Sequence, residues 1–145
     1  MPAIRRAGAD DVAAVARLFR TVRRASLPYL PELHTAAEDF GFFHDHVFAE
    51  CEVWVAEGDT IDGFIAFRTG WVDHLYVLPE RHRQRLGKAL LTLAMKTPPL
   101  RLWVFQRNAA AIDFYRACRF REIERTDGSR NEEHEPDVLM ERTRG

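Results

Sequence analysis

The 145-residue chain is poor in the features that commit a protein to an unusual environment. It has two cysteines, Cys51 and Cys118, far apart and without the close spacing of a metal-binding pair. Two free thiols fit a reducing compartment and supply no disulfide framework. No apolar run approaches the roughly 20 residues that a membrane-spanning helix needs. The N-terminal Met-Pro-Ala-Ile-Arg-Arg lacks the apolar core of a signal peptide. A cytoplasmic location without a membrane partner is expected. Charge of one sign is also missing: 21 basic against 22 acidic residues leave a formal net charge of −1. No global field therefore gathers nucleic acid or anionic lipid. No repeat, low-complexity tract or Gly/Ser linker divides the chain, so residues 1–145 read as one domain.

What the chain does have is periodicity. Ala3-Ile4-Arg5 can start a strand, and Asp10 can cap the helix that follows. Val12, Val15, Phe19 and Val22 share one helical face, and Pro28 and Pro31 end that helix. Thr35 with Glu38 three residues later is a capping-box pattern, opening a second helix that runs to Val47. Residues 52–57 and 61–68 read as an antiparallel hairpin around Gly58-Asp59-Thr60, and 71–77 as a further strand. Residues 80–87 form a loop before a helix striped by Leu86, Leu90 and Leu93, which Pro98-Pro99 stops. In the apolar strand 100–106, Leu102 and Val104 take one face and Trp103 and Phe105 the other, with both faces expected to be covered. A helix over 109–118 and strands near 120–125 and 138–141 complete the chain. The order β-α-α-β-β-β-α-β-α-β-β predicts an α/β fold, a mixed central sheet with helices on both faces.

Several residues carry chemistry. Arg81, Arg83, Arg85 and Lys88 crowd the start of a helix, where positive charge opposes the macrodipole unless an anion is bound. Asn108 before Ala-Ala-Ala is by itself an ordinary helix N-cap. Tyr115 beside Phe114 is by itself a core aromatic. His44 and His46 are two apart and point away from each other on a helix, so no metal is expected.

Asp73-His-Leu-Tyr-Val-Leu-Pro79, running into Arg85-Leu-Gly-Lys-Ala-Leu-Leu91 and followed by Asn108 and Tyr115, resembles the core of the GNAT acetyltransferases. The resemblance implies a GNAT-like fold and transfer of an acetyl group from acetyl-CoA to a primary amine of a small acceptor by direct attack. It implies that Leu75, Tyr76 and Val77 offer a strand edge to the pantetheine arm of the cofactor. Arg83, Gln84, Arg85, Leu86, Gly87 and Lys88 would form the pyrophosphate-binding helix start. Asn108 would contact the cofactor, and Tyr115 would line its site and protonate the departing thiolate. A phenol, with a pKa of about 10, holds its proton at neutral pH and can pass it to a basic sulfur.

The chain departs from the family pattern at three points. Spacing from Pro79 aligns His82-Arg83-Gln84-Arg85-Leu86-Gly87 with Gln/Arg-x-x-Gly-x-Gly/Ala, so Arg85 replaces the first glycine; a frame moved by two, Gln84-x-x-Gly87-x-Ala89, fits the formula instead. Arg119 stands where the family's Gly-Phe ending has glycine. Trp103 occupies the position where many relatives carry a glutamate base. Asp73, assigned the strand parity of Leu75 and Val77, is the first substitute base; His74 on the opposite face and a water relay are the others. The acceptor side falls to Tyr29, Leu30, Leu33, His34, Phe40 and Phe43, with Glu32 and Asp39 as cation partners. An acyl-CoA-binding or regulatory module without catalysis is the alternative; a nucleic-acid binder is disfavoured by the neutral charge. The last strands could pair between subunits, which admits a homodimer.

Overall fold

The computed structural model describes residues 2–80 and 83–143, and of Arg83 and Gln84 the backbone only. The elements are β1 (Ala3–Arg6), α1 (Val12–Ser26), α2 (Ala36–Phe42), a π-helical turn (Phe43–Val47), α3 (Phe48–Glu50), β2 (Glu52–Glu57), β3 (Ile61–Arg68), β4 (Trp71–Val77), α4 (Arg83–Ala94), β5 (Leu100–Phe105), α5 (Ala109–Ala117), β6 (Arg121–Thr126) and β7 (Asp137–Arg142). Seven strands make one sheet in the order β1-β2-β3-β4-β5-β7-β6. Among the described residues only β4 and β5 pair in parallel, so the expected mixed sheet is observed.

Amphipathic helices cover the sheet from both sides. Val12, Val15, Phe19 and Val22 of α1 pack with Phe43 and Val47 onto Val53, Val55, Phe64 and Ala66. On the other face Leu86, Leu90 and Leu91 of α4 and Ile112 and Tyr115 of α5 meet Ile65, Val77, Leu102, Val104 and Met140. Burying each such side chain contributes about 1.5–3 kcal/mol, so the helical stripes suffice to fix which face turns inward. The Thr35 capping box forms as expected: Glu38 N–H donates to Thr35 Oγ1 at 3.1 Å and Thr35 N–H to Glu38 Oε1 at 2.8 Å.

Three expectations are corrected. Asp10 caps nothing. A 3-10 turn over Ala9–Asp11 precedes α1, and Asp11 instead accepts the Gly8 N–H at 2.8 Å. The loop expected over 80–87 is shorter, because α4 already begins at Arg83. Trp103 is not covered. α1 packs against β3 and β4, and on β5 Trp103 keeps 46% of its surface exposed.

Two irregularities of β4 shape the centre of the molecule. Among the described residues β3 and β4 pair at six positions, but β4 and β5 share only Trp71↔Arg101 before their ladder ends. Beyond that point the backbone edge of β4 facing β5 lies outside any ladder. Against β3 the register jumps, with Ala66 opposite His74 and Phe67 opposite Val72, so Asp73 is a bulged residue. A bulge reverses the alternation that a parity count assumes. Val72, and not Asp73, therefore packs on the α4 side with Leu75 and Val77.

Candidate active site

The freed edge of β4 carries different side chains to its two faces. Leu75 and Val77 face α4 and α5, whereas Tyr76 packs toward α1 and His74 stands in T-shaped contact with Phe19 of that helix. His74 sits among Phe19, Phe42, Phe43, Phe64 and Tyr76, with ring centroids 5.4–6.4 Å away. Burial in this aromatic nest pushes its imidazole down to about 4; Asp73 opposes the shift and Arg23 adds to it. At neutral pH His74 is a neutral base. It forms part of the wall of a cavity of about 810 Å³ between α1, the α1–α2 connection, α2 and the β6–β7 loop.

Arg23 organises that cavity. Its guanidinium lies 5.0 Å from the Phe19 ring centre, and its Nη2 donates to Glu133 Oε2 at 2.9 Å. It also interacts with the buried Tyr76 hydroxyl, whose pKa is raised by burial against the pull of Arg23. The β6–β7 loop is tied down at further points. Glu132 pairs with His34, and Glu135 takes two N–H bonds from Arg107 at 2.8 Å. Arg107 in turn stacks 4.1 Å over the Tyr29 ring.

Tyr115 is buried on the other side of the sheet, edge-on to Phe114 and Phe120 at 5.2 and 5.5 Å. Burial first, then the neighbouring Tyr76 and Cys118, hold its hydroxyl well above the ordinary phenol pKa. The proton is thus retained at neutral pH. Tyr76 and Tyr115 lie within electrostatic reach of each other although they pack against opposite layers. The backbone at Tyr115 is fixed by a Schellman turn: Phe120 N–H donates to Tyr115 O at 2.9 Å and Arg119 N–H to Arg116 O at 2.9 Å. Arg119 adopts φ +71° at the position where glycine was expected. Asn108 caps α5 by accepting the Ala111 N–H at 3.3 Å.

At the start of α4, Arg85 and Lys88 are exposed and Leu86 is buried in the core. The first four N–H groups of a helix have no intrahelical partner, so residues 83–86 present donors to an anion. Arg81 and His82 lie outside the described residues, as do the side chains of Arg83 and Gln84. Gly87 meets Phe114, whose Cζ would be 3.2 Å from an added Cβ, so it also lets α4 approach α5.

A family model for the acetyltransferase (GNAT) domain matches residues 49–122, just over half of the chain. The chain belongs to the GNAT acetyltransferase family. It is an acyltransferase with acetyl-CoA as donor. It is 29% identical over 120 residues to the peptidyl-lysine N-acetyltransferase YiaC of Escherichia coli (strain K12), covering 71% of this chain and 82% of that protein. Among solved structures it is similar in fold to apo YjaB from Escherichia coli, with TM-score 0.75 at 20% identity over 100% of this chain and 99% of that one. The PaiA N-acetyltransferase from Thermoplasma acidophilum, solved in complex with coenzyme A, gives TM-score 0.76 at 21% identity over 99% of each chain.

Within this GNAT fold the sequence-derived candidates separate. Leu75 and Val77 of β4 share a core cluster with Tyr115, Tyr76 packs on the opposite face, and Asn108 stands at the N-terminus of α5. Asp73 turns elsewhere. Its carboxylate accepts Arg68 Nε at 2.8 Å, Arg68 Nη2 at 3.2 Å and the Cys51 thiol at 3.3 Å. It does not belong to the cavity wall that includes His74. Of the acceptor candidates, Leu30, Glu32, Leu33, His34 and Asp39 line the cavity. Phe43 is fully buried core, Phe40 stacks outside on His44, and Tyr29 lies under Arg107. The sequence reading missed Arg23, Phe42 and Glu133 as cavity residues. Only the helical spacing of Arg20, Arg23 and Arg24 hinted at a charged wall.

Proposed function

We propose that the chain transfers the acetyl group of acetyl-CoA to a primary amine by direct attack on the thioester. The observation that carries this is the parting of β4 from β5. It leaves a free strand edge with a cavity containing a neutral histidine on one face and a protonated, buried tyrosine on the other. Pantetheine amides can pair with the edge around residues 73–77. The pyrophosphate meets the donors at the start of α4, and Asn108 at the α5 N-terminus contributes a further polar contact. The acceptor enters from the His74 side. Attack on the carbonyl carbon makes the nitrogen strongly acidic, so even a weak neutral base such as His74 can take its proton. Collapse of the tetrahedral intermediate expels the thiolate, which Tyr115 protonates. Asp73 is left out of the base role because its carboxylate is already occupied by Arg68 and Cys51. The acceptor named for the YiaC relative, a peptidyl lysine, supports a primary amine on a flexible chain.

A thermal-shift titration with acetyl-CoA, followed by thiol release across alkylamines, polyamines and lysine peptides, tests this. Cofactor binding raises the midpoint by mass action, and thiol release then depends on the amine. A shift without release on any amine defeats the enzymatic reading and leaves an acyl-CoA-binding module. Absence of any shift defeats both.

A further inference from the structure

We infer that Glu133, on the loop between β6 and β7, is the carboxylate that anchors the acceptor's ammonium group in the cavity beside His74. This role rests on the acetyltransferase reading above and adds a residue to it. The Glu133 side chain is 13% exposed, and its Oε2 accepts from Arg23 at 2.9 Å. Among the described residues no hydrogen bond is made to Oε1. Arg23 does not need both oxygens, because the Phe19 ring and the Tyr76 hydroxyl hold its guanidinium as well. One carboxylate oxygen therefore remains for a ligand, in surroundings where water competes poorly and a charge-assisted bond is strong.

The other acids of the wall are committed or peripheral. Glu32 gives both oxygens to Arg24, Glu38 accepts the Thr35 N–H in the α2 capping box, and Glu132 pairs with His34. Asp39 gives one oxygen to Arg20 at 2.6 Å, but it is Glu133 whose charge reaches the Tyr76 hydroxyl beside His74. Asp45 is exposed and bonded to His44. Six carboxylates against three arginines around the cavity favour a cation over an anion or a neutral molecule. Glu133 also stands at the relevant depth. Its charge is felt by the Tyr76 hydroxyl, which in turn is felt by Tyr115. Glu133 thus lies on the amine side of the β4 edge whose other side carries the thiolate acid. The contact is non-covalent: the ammonium is collected on Glu133, gives a proton to solvent, and then attacks as the amine.

Calorimetric titration of N-acetyl-lysine methylamide and its uncharged counterpart N-acetyl-norleucine methylamide, with CoA present, tests the anchor directly. Wild type should prefer the lysine derivative by about tenfold, the worth of a charge-assisted bond. Glu133→Gln should abolish that preference, and Glu124→Gln, the same charge change on β6 outside the cavity wall, should keep it. An unchanged preference in Glu133→Gln, or no preference in wild type, overturns the assignment. If Glu133 served only to neutralise Arg23, combining Glu133→Gln with Arg23→Met would restore the preference; the anchor predicts that it stays lost. Thiol release run in parallel separates the two claims. Release with an unchanged amine KM in Glu133→Gln sinks the anchor and spares the acetyltransferase. Cation preference without release on any amine does the reverse.

Discussion

Replacing His74 by phenylalanine isolates what the aromatic nest costs a titratable side chain. The folded protein holds His74 at about 4 instead of the ordinary 6.5. Above pH 6.5 the group is neutral in both folded and unfolded chains and does not affect their balance. As pH falls through 6.5 the unfolded chain takes up a proton that the folded chain refuses, and stability declines by about 1.4 kcal/mol per pH unit. The decline ends near the folded value, after a total of about 3 kcal/mol. Asp73 and Arg23 are the charged groups acting on the imidazole, with opposite effects, so burial sets the sign. His74→Phe keeps an aromatic ring among Phe19, Phe43 and Phe64 and removes the titration. Urea denaturation of both proteins from about pH 7.5 to about pH 4.5 should show wild type losing stability relative to the variant across that window. Carboxylates titrate in both proteins and cancel in the difference. Parallel stability curves would refute the claim that the aromatic nest holds His74 as a neutral base.

Tyr115→Phe should cut turnover by about a hundredfold, the usual worth of a positioned acid, while the KM for acetyl-CoA stays nearly constant; equal turnover removes Tyr115 from that role. Asp73→Asn should leave the pH–rate profile unchanged and cost less than about 1 kcal/mol in urea, since the Arg68 pair is largely exposed. A lost acidic limb would return Asp73 to the base role. Arg119→Gly should stabilise the protein by about 1 kcal/mol by relieving the left-handed conformation at the end of α5; an unchanged denaturation midpoint would show that the Arg119 side chain compensates for its backbone.

The sheet was legible because its information is local. Residues 52–57, 61–68 and 71–77 match β2, β3 and β4 residue for residue, since alternating apolar positions and the turns at Gly58 and Gly70 are written in consecutive residues. The Thr35–Glu38 box was readable for the same reason. The position of Asp73 was not. A parity count presumes one residue per step, and the bulge arises from how β4 pairs with β3. The exposure of Trp103 was likewise hidden, because covering β5 depends on where α1 comes to lie. The cavity was the least legible. Arg23 and Glu133 stand 110 residues apart, and the β6–β7 loop carries no periodicity to announce that it folds back over α1.

Acetyl transfer itself is the most direct test. Incubating the full chain with acetyl-CoA carrying a deuterated acetyl group and a panel of cationic primary amines, then weighing the products by mass spectrometry, asks whether the label moves to nitrogen. Wild type should form a labelled amide with one equivalent of free CoA, and Tyr115→Phe should form strongly diminished amounts. Cofactor binding with the label remaining on CoA for every amine would contradict acetyl transfer.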